Sequence, residues 1–173
     1  MIEAFSDVLS ANQDYVARYR DPHLEGRAAR GLGVVTCMDS RIEPLAMLGL
    51  DKGDAKILRN AGARVTEDVL RTLVLAVHLL AVDRVMVVAH TDCRMAKVTD
   101  EQVHADILAG SGVDTRSLDF GTIIDQRATL AGDVLKIRSS PFLPAELAVI
   151  GCVYDIQTGR LTVEVDGAEV VGD

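Results

Sequence analysis

Apolar positions fall along the chain in blocks of differing period. From 2 to 20, Ile2, Phe5, Leu9, Val16 and Tyr19 recur at helical spacing with polar groups between them, which predicts an amphipathic helix. "DPHLEGR" at 21–27 breaks it. "LGVVTCM" at 32–38 and "AKILRN" at 55–60 are short apolar runs of strand type, separated by the short helix "EPLAMLGL", with Pro44 near its start and Gly49 near its end. A helix follows over 67–82, with Thr66 as its N-cap and Glu67 and Asp68 in its first turn, where acidic groups suit the dipole. Its second half, "LVLAVHLLAV" at 73–82, is apolar nearly all round, so it should be buried on more than one side. In a chain of this size the second side is expected to be a partner subunit.

A third strand is predicted at 84–89, then a loop and short helix over 91–109, a flexible break at "GSG" (110–112), and a helix over 120–138 that "PFLP" ends. "ELAVIGCVYD" and "GRLTVEV" make a fourth and fifth strand, joined at "IQTG" into a hairpin. Strands alternating with helices imply an α/β fold: a mostly parallel sheet of four strands, an antiparallel edge strand, and helices on both faces. The "GLG" at 31–33 comes ahead of the first strand instead of after it, so a dinucleotide-binding fingerprint is a poor match.

Composition narrows the functions. The 173 residues are enough for one domain with a sizeable core. A net charge of −8 argues against a general affinity for nucleic acid, and 3% aromatic content argues against a stacking surface for bases. No apolar run reaches the roughly 18–20 residues of a membrane span. The N-terminus lacks the basic-then-apolar order of a secretory signal, and three cysteines fit thiols or a metal site better than a disulfide framework. A cytoplasmic protein is expected.

In a parallel sheet, ligands bind beyond the carboxyl ends of the strands. Cys37 ends the first strand, His90 ends the third, and Cys93 follows in "HTDCRM". If those strands are neighbours the three groups converge, and two thiolates with an imidazole are a good zinc set with a fourth position open. Taken singly, Cys37 and Cys93 can equally be small core residues, and His90 a capping side chain. Asp39 and Arg41 follow Cys37 in "CMDSR"; an Asp held by an Arg stays ionised and oriented, although such a pair can also be a plain surface turn.

Cys37-x-Asp39-Ser40-Arg41, with His90-x-x-Cys93 about fifty residues on, resembles the β-class carbonic anhydrases. "RNAG" at 59–62 and the ending "GCVYDIQTGRL" resemble that family too, and the length resembles its compact bacterial members. The resemblance covers residues 30–165 as a core, with residues 1–25 as an N-terminal helical arm of the same single domain. It implies one zinc ion per chain on Cys37, His90 and Cys93, and an Asp39–Arg41 dyad as catalytic residues. It further implies reversible hydration of carbon dioxide by attack of a zinc-bound hydroxide. It also implies a homodimer, often paired into tetramers, with the first helix lying across the partner. The family usually has Gly after the second cysteine, where this chain has Arg94. Arg94 would be strained if the backbone there needs positive φ, and otherwise places a cation at the mouth of the site. Two alternatives stay open: hydrolysis of carbonyl sulfide or carbon disulfide on the same zinc site, and a non-catalytic zinc-binding protein if Arg94 closes the pocket.

The remaining candidates are weaker. His78 reads as a satisfied core histidine, His23 and His104 as surface residues, and Cys152 as core. Asp100, Glu101 and Asp106 read as a solvated helix face.

Overall fold

A computed structural model describes residues 2–168, so Met1 and residues 169–173 of the expected domain lie outside it. Ten principal elements follow one another as α1 (Ser6–Arg18), β1 (Leu32–Cys37), α2 (Pro44–Met47), β2 (Ala55–Asn60), α3 (Glu67–Leu79), β3 (Arg84–His90), α4 (Asp100–Ser111), α5 (Gln126–Arg138), β4 (Ala148–Tyr154) and β5 (Leu161–Asp166). The strands form one sheet in the order β2-β1-β3-β4-β5. β2, β1, β3 and β4 run parallel, and β5 returns antiparallel to β4 with a bulge between Gly151 and Cys152. The expected α/β architecture is borne out, including the antiparallel edge.

β1 is buried at every residue, as a central parallel strand covered on both faces must be. One face of the sheet packs under α3 and α5 around Val35, Leu73, Val85, Val87, Leu130, Val134 and Ile137. α5 comes close because Gly151 has no side chain: a Cβ there would meet Leu130 at 2.9 Å and Val134 at 3.1 Å. The opposite face, with Val34, Val88 and Cys152 at its centre, is lined by Met47, Leu48, Leu50 and Leu161. Among the described residues α2 is its only helical cover of note, and an open groove of about 450 Å³ remains between Leu32, Leu50, Met86 and Ile150.

Three predicted boundaries shift. α3 stops at Leu79, because Ala81 turns the chain with a φ of 62° while Leu80, Ala81 and Val82 continue the apolar pattern. Its N-cap is Thr66, as expected, accepting from the Val69 N–H. α4 runs through Gly110 and Ser111 to a left-handed cap at Gly112, so "GSG" is a helix end and not a flexible break. A capping box of Thr99 and Gln102 starts α4. The helix predicted from 120 begins at Gln126 behind an Asp125 N-cap. Residues 120–122 are instead held as a loop by Asp100, whose carboxylate accepts from the N–H groups of Phe120 and Thr122 and from the Thr122 hydroxyl.

Candidate metal centre

β1 and β3 are neighbours, with Thr36 opposite Val88, so their carboxyl ends present Cys37 and His90 side by side. The chain then turns sharply through Asp92, which adopts a left-handed φ of 61°, and returns Cys93 to the same spot. The two Sγ atoms and the imidazole nitrogen lie within 4.8 Å of one another, and all three side chains are buried. Among the described residues these groups could hold a metal ion.

The His90 ring is fixed from behind. Its Nδ1 donates to the Thr91 carbonyl at 2.8 Å, and a carbonyl can only accept, so Nδ1 carries the proton and Nε2 offers a lone pair. That Nε2 is buried with no hydrogen-bond partner among the described residues. An unpaired buried acceptor is costly unless something binds it. The two thiols and the ring shift one another's proton affinity. The adjacent Cys93 thiol, then His90 and the Gly62 N–H, pull the Cys37 thiol down against burial. The Cys37 thiolate and burial push Cys93 up. Burial opposes protonation of His90, but the Cys37 thiolate and the Thr91 carbonyl outweigh it and the net direction is up. The pocket therefore stabilises added positive charge. A divalent ion of thiolate and imidazole preference, zinc above all, fits this donor set, while sulfur excludes magnesium and calcium.

The surrounding loops are tied down. Gly62, at a left-handed φ of 80°, brings its N–H to Cys37 Sγ at 3.4 Å; a Cβ there would meet Ile123 at 3.2 Å and Met95 at 3.4 Å. Arg59 donates to the carbonyls of Cys37 at 2.9 Å and Asp39 at 2.6 Å. Gln126 donates to the His90 carbonyl at 2.9 Å.

Asp39 and Arg41 stand beside the pocket. Arg41 binds both oxygens of Asp39, Nε to Oδ1 at 2.9 Å and Nη2 to Oδ2 at 2.7 Å, and its backbone N–H adds a third bond at 3.0 Å. These bonds hold the Asp39 carboxyl well below the usual carboxylate range. Asp39 Oδ2 lies 4.0 Å from His90 Nε2. Arg41 also donates to Asp92, whose other oxygen pairs with Lys97.

The five expected site residues thus meet in one place. Sequence reasoning left Asp92, Arg59, Gly62 and Gln126 without roles. Asp92 stands in the "HTDCRM" stretch and Arg59 and Gly62 in "RNAG", but their contacts depend on which strands adjoin. Arg94 does not need positive φ, since Asp92 makes the left-handed turn instead. Its side chain is 78% exposed and reaches Asp106 at 3.7 Å, turned outward instead of closing the pocket. Glu101 and Asp106 are exposed, as expected of a solvated face, whereas Asp100 is half-buried and holds the 120–122 loop. His78 is exposed, not core, though its Nε2 pairs with the Phe142 carbonyl at 2.9 Å. His104 is half-buried, 3.0 Å from the Thr115 hydroxyl and beside the Phe120 ring. Its partners come from a loop that local periodicity does not reveal. Cys152 is core, as expected, and His23 is exposed.

A mostly parallel α/β sheet with a Cys-His-Cys cluster at its carboxyl edge is a candidate metal centre, and comparison with known proteins narrows the class. Residues 32–115 match the family described as carbonic anhydrase. Beta-carbonic anhydrase 1 of Mycobacterium tuberculosis is 33% identical over 158 residues, covering 90% of this chain and 94% of that protein. A carbon disulfide hydrolase of Acidianus sp. is 30% identical over 156 residues, covering 76% of each. The crystal structure of the Streptococcus mutans carbonic anhydrase superposes with a TM-score of 0.86 at 36% identity, covering 92% of this chain and 96% of that one. The chain belongs to the β-carbonic anhydrase family, a family of enzymes.

Proposed function

We propose that this protein catalyses the reversible hydration of carbon dioxide to bicarbonate and a proton, with one zinc ion held by Cys37, His90 and Cys93. The observation that carries the reading is the unpaired, buried His90 Nε2 facing two thiols beside the Asp39–Arg41 pair. Zinc, when bound there, supplies a Lewis acid that makes water ionise near neutral pH. Two thiolates cancel the charge of the ion, so it acidifies water less than a three-histidine site, and neighbouring groups matter more. Asp39, kept ionised by Arg41, is placed to accept a hydrogen bond from the attacking water and orient its oxygen toward the carbon. Arg41 holds Asp39 in that orientation. In the net reaction the water oxygen bonds to carbon, and one proton leaves to buffer.

A second reading is hydrolysis of carbon disulfide or carbonyl sulfide on the same residues; the similarity to the Acidianus enzyme favours keeping it. Parallel assays with carbon dioxide, carbonyl sulfide and carbon disulfide separate the two: hydration of carbon dioxide alone supports the first reading, and turnover only of the sulfur compounds replaces it.

The chain is also proposed to work as a homodimer that can pair into a tetramer. All of α1 is exposed, with Leu9 at 52% and Val16 at 63%, and among the described residues no other segment covers its apolar stripe. Leu79 on α3 is 65% exposed, and the groove on the second sheet face is open. Apolar surface on this scale favours a partner, and a second copy carries the matching arm. Three cysteines without disulfide partners suit a reducing compartment, the cytoplasm. No helix among the described residues is long and apolar enough to cross a membrane.

A further inference from the structure

Arg41 is gripped from two sides. Asp39 takes Nε and Nη2, while Asp92 takes Nη1 on Oδ2 at 2.7 Å and Nη2 on its own carbonyl at 3.3 Å. All three guanidinium nitrogens are committed. We propose that Asp92 is a positioning residue: its carboxylate clamps Arg41 against Asp39 and so fixes the orientation of Asp39 beside the metal centre. The proposal rests on the functional reading above and adds a residue to it.

The guanidinium is planar, so a bond to its outer nitrogen prevents the swing that would release its inner edge from Asp39. Asp92 is itself held. Lys97 pairs with its Oδ1, and its left-handed backbone turns the side chain toward the loop after β1. Asp tolerates that backbone better than most residues. Asp92 lies between His90 and Cys93, and Arg41 lies just past Cys37, so the contact also ties together the two loops that carry the sulfur and nitrogen donors.

Three other roles account for the contact less well. A proton relay from Asp39 to Asp92 would pass through Arg41, which does not give up its proton. A purely stabilising surface pair is also a poor account, since both side chains are about half exposed, 45% and 46%, and such pairs contribute little to stability. Asp92 could also weaken Arg41 by sharing its charge. Such sharing would make loss of the Asp92 carboxylate raise the turnover, the opposite of the clamp's effect. The consequence should therefore appear in rate.

The test compares Asp92→Gly, which removes the carboxylate and accepts left-handed backbone, with Asp92→Asn, which keeps an uncharged acceptor. Each is made in the wild-type and Arg41→Ala backgrounds, and zinc content, kcat, KM for carbon dioxide and crystal structures are determined. Zinc per chain should stay constant and KM should hold. In Asp92→Gly kcat should fall about tenfold, the scale of a partly screened charge-assisted hydrogen bond, with Asp92→Asn intermediate. In the Arg41→Ala background neither change should reduce kcat further. Wild-type kcat in Asp92→Gly, or an equal loss with and without Arg41, overturns the clamp. If the wild type does not hydrate carbon dioxide, the functional reading fails by itself. The crystal structures of the Asp92 variants, with or without metal, then decide the clamp: Arg41 displaced from Asp39 supports it, and Arg41 unmoved overturns it.

Discussion

His90 Nε2 and Asp39 Oδ2 lie 4.0 Å apart, one an unpaired lone pair and the other a carboxylate oxygen bonded to Arg41. Without Arg41, Asp39 would be free to turn toward His90. Three donors from Arg41 oppose it. Arg41→Ala leaves only local restraint on Asp39, so it should retain zinc while turnover falls at least about tenfold, the order of a lost charge-assisted bond. Metal analysis and stopped-flow rates check this. Loss of zinc together with rate would mean that Arg41 builds the site instead of orienting Asp39.

The same cluster sets a pH dependence of stability. Arg41 hydrogen bonds hold Asp39 below its ordinary value of 3.8. A carboxyl depressed by folding stabilises the fold above its unfolded pKa and loses that contribution as pH falls through its folded value. Melting metal-free wild type and Arg41→Ala should therefore show a gap that is constant from roughly pH 5 to 8 and shrinks toward pH 3. A gap that widens in acid would contradict the assignment.

Much of this was legible in the chain. The runs at 32–38, 55–60 and 84–89 became β1, β2 and β3 almost to the residue, because the apolar runs are short and bounded by turns, as strands of a parallel sheet are. The donors were visible because strand ends place them. Asp92 was not, since its value depends on β1 lying beside β3, which is topology and not local pattern. Helix ends were misread where tertiary contacts override periodicity. Asp100 pins Phe120 and Thr122 as a loop, and Ala81 turns α3 out of its apolar run.

The exposed arm makes a prediction about assembly. Removing residues 1–20 takes away Phe5, Leu9 and Val16 and leaves the surface they are proposed to cover on a second copy. The truncated protein should aggregate or fall to monomer in sedimentation, whereas the full chain should be dimeric or larger. A well-behaved monomeric full chain at micromolar concentration would contradict self-association.

Arg94 should tune the centre without building it. Its backbone is unstrained and its guanidinium reaches Asp106 on α4, so Arg94→Gly should keep zinc. The rate, or its dependence on ionic strength, should change by no more than a few-fold, because a cation next to Cys93 in the chain adds to the local field even when it is turned outward. Zinc loss in that variant would show the residue to be structural.

The central claim is that a zinc ion on Cys37, His90 and Cys93 is required for carbon dioxide hydration. Stopped-flow hydration on protein of measured zinc content tests it most directly, beside Cys93→Ser. The account predicts about one zinc per chain, a rate proportional to zinc loading, and loss of most metal and all activity in Cys93→Ser. Fully zinc-loaded wild type that hydrates carbon dioxide no faster than buffer, or Cys93→Ser with normal zinc and normal turnover, would contradict it.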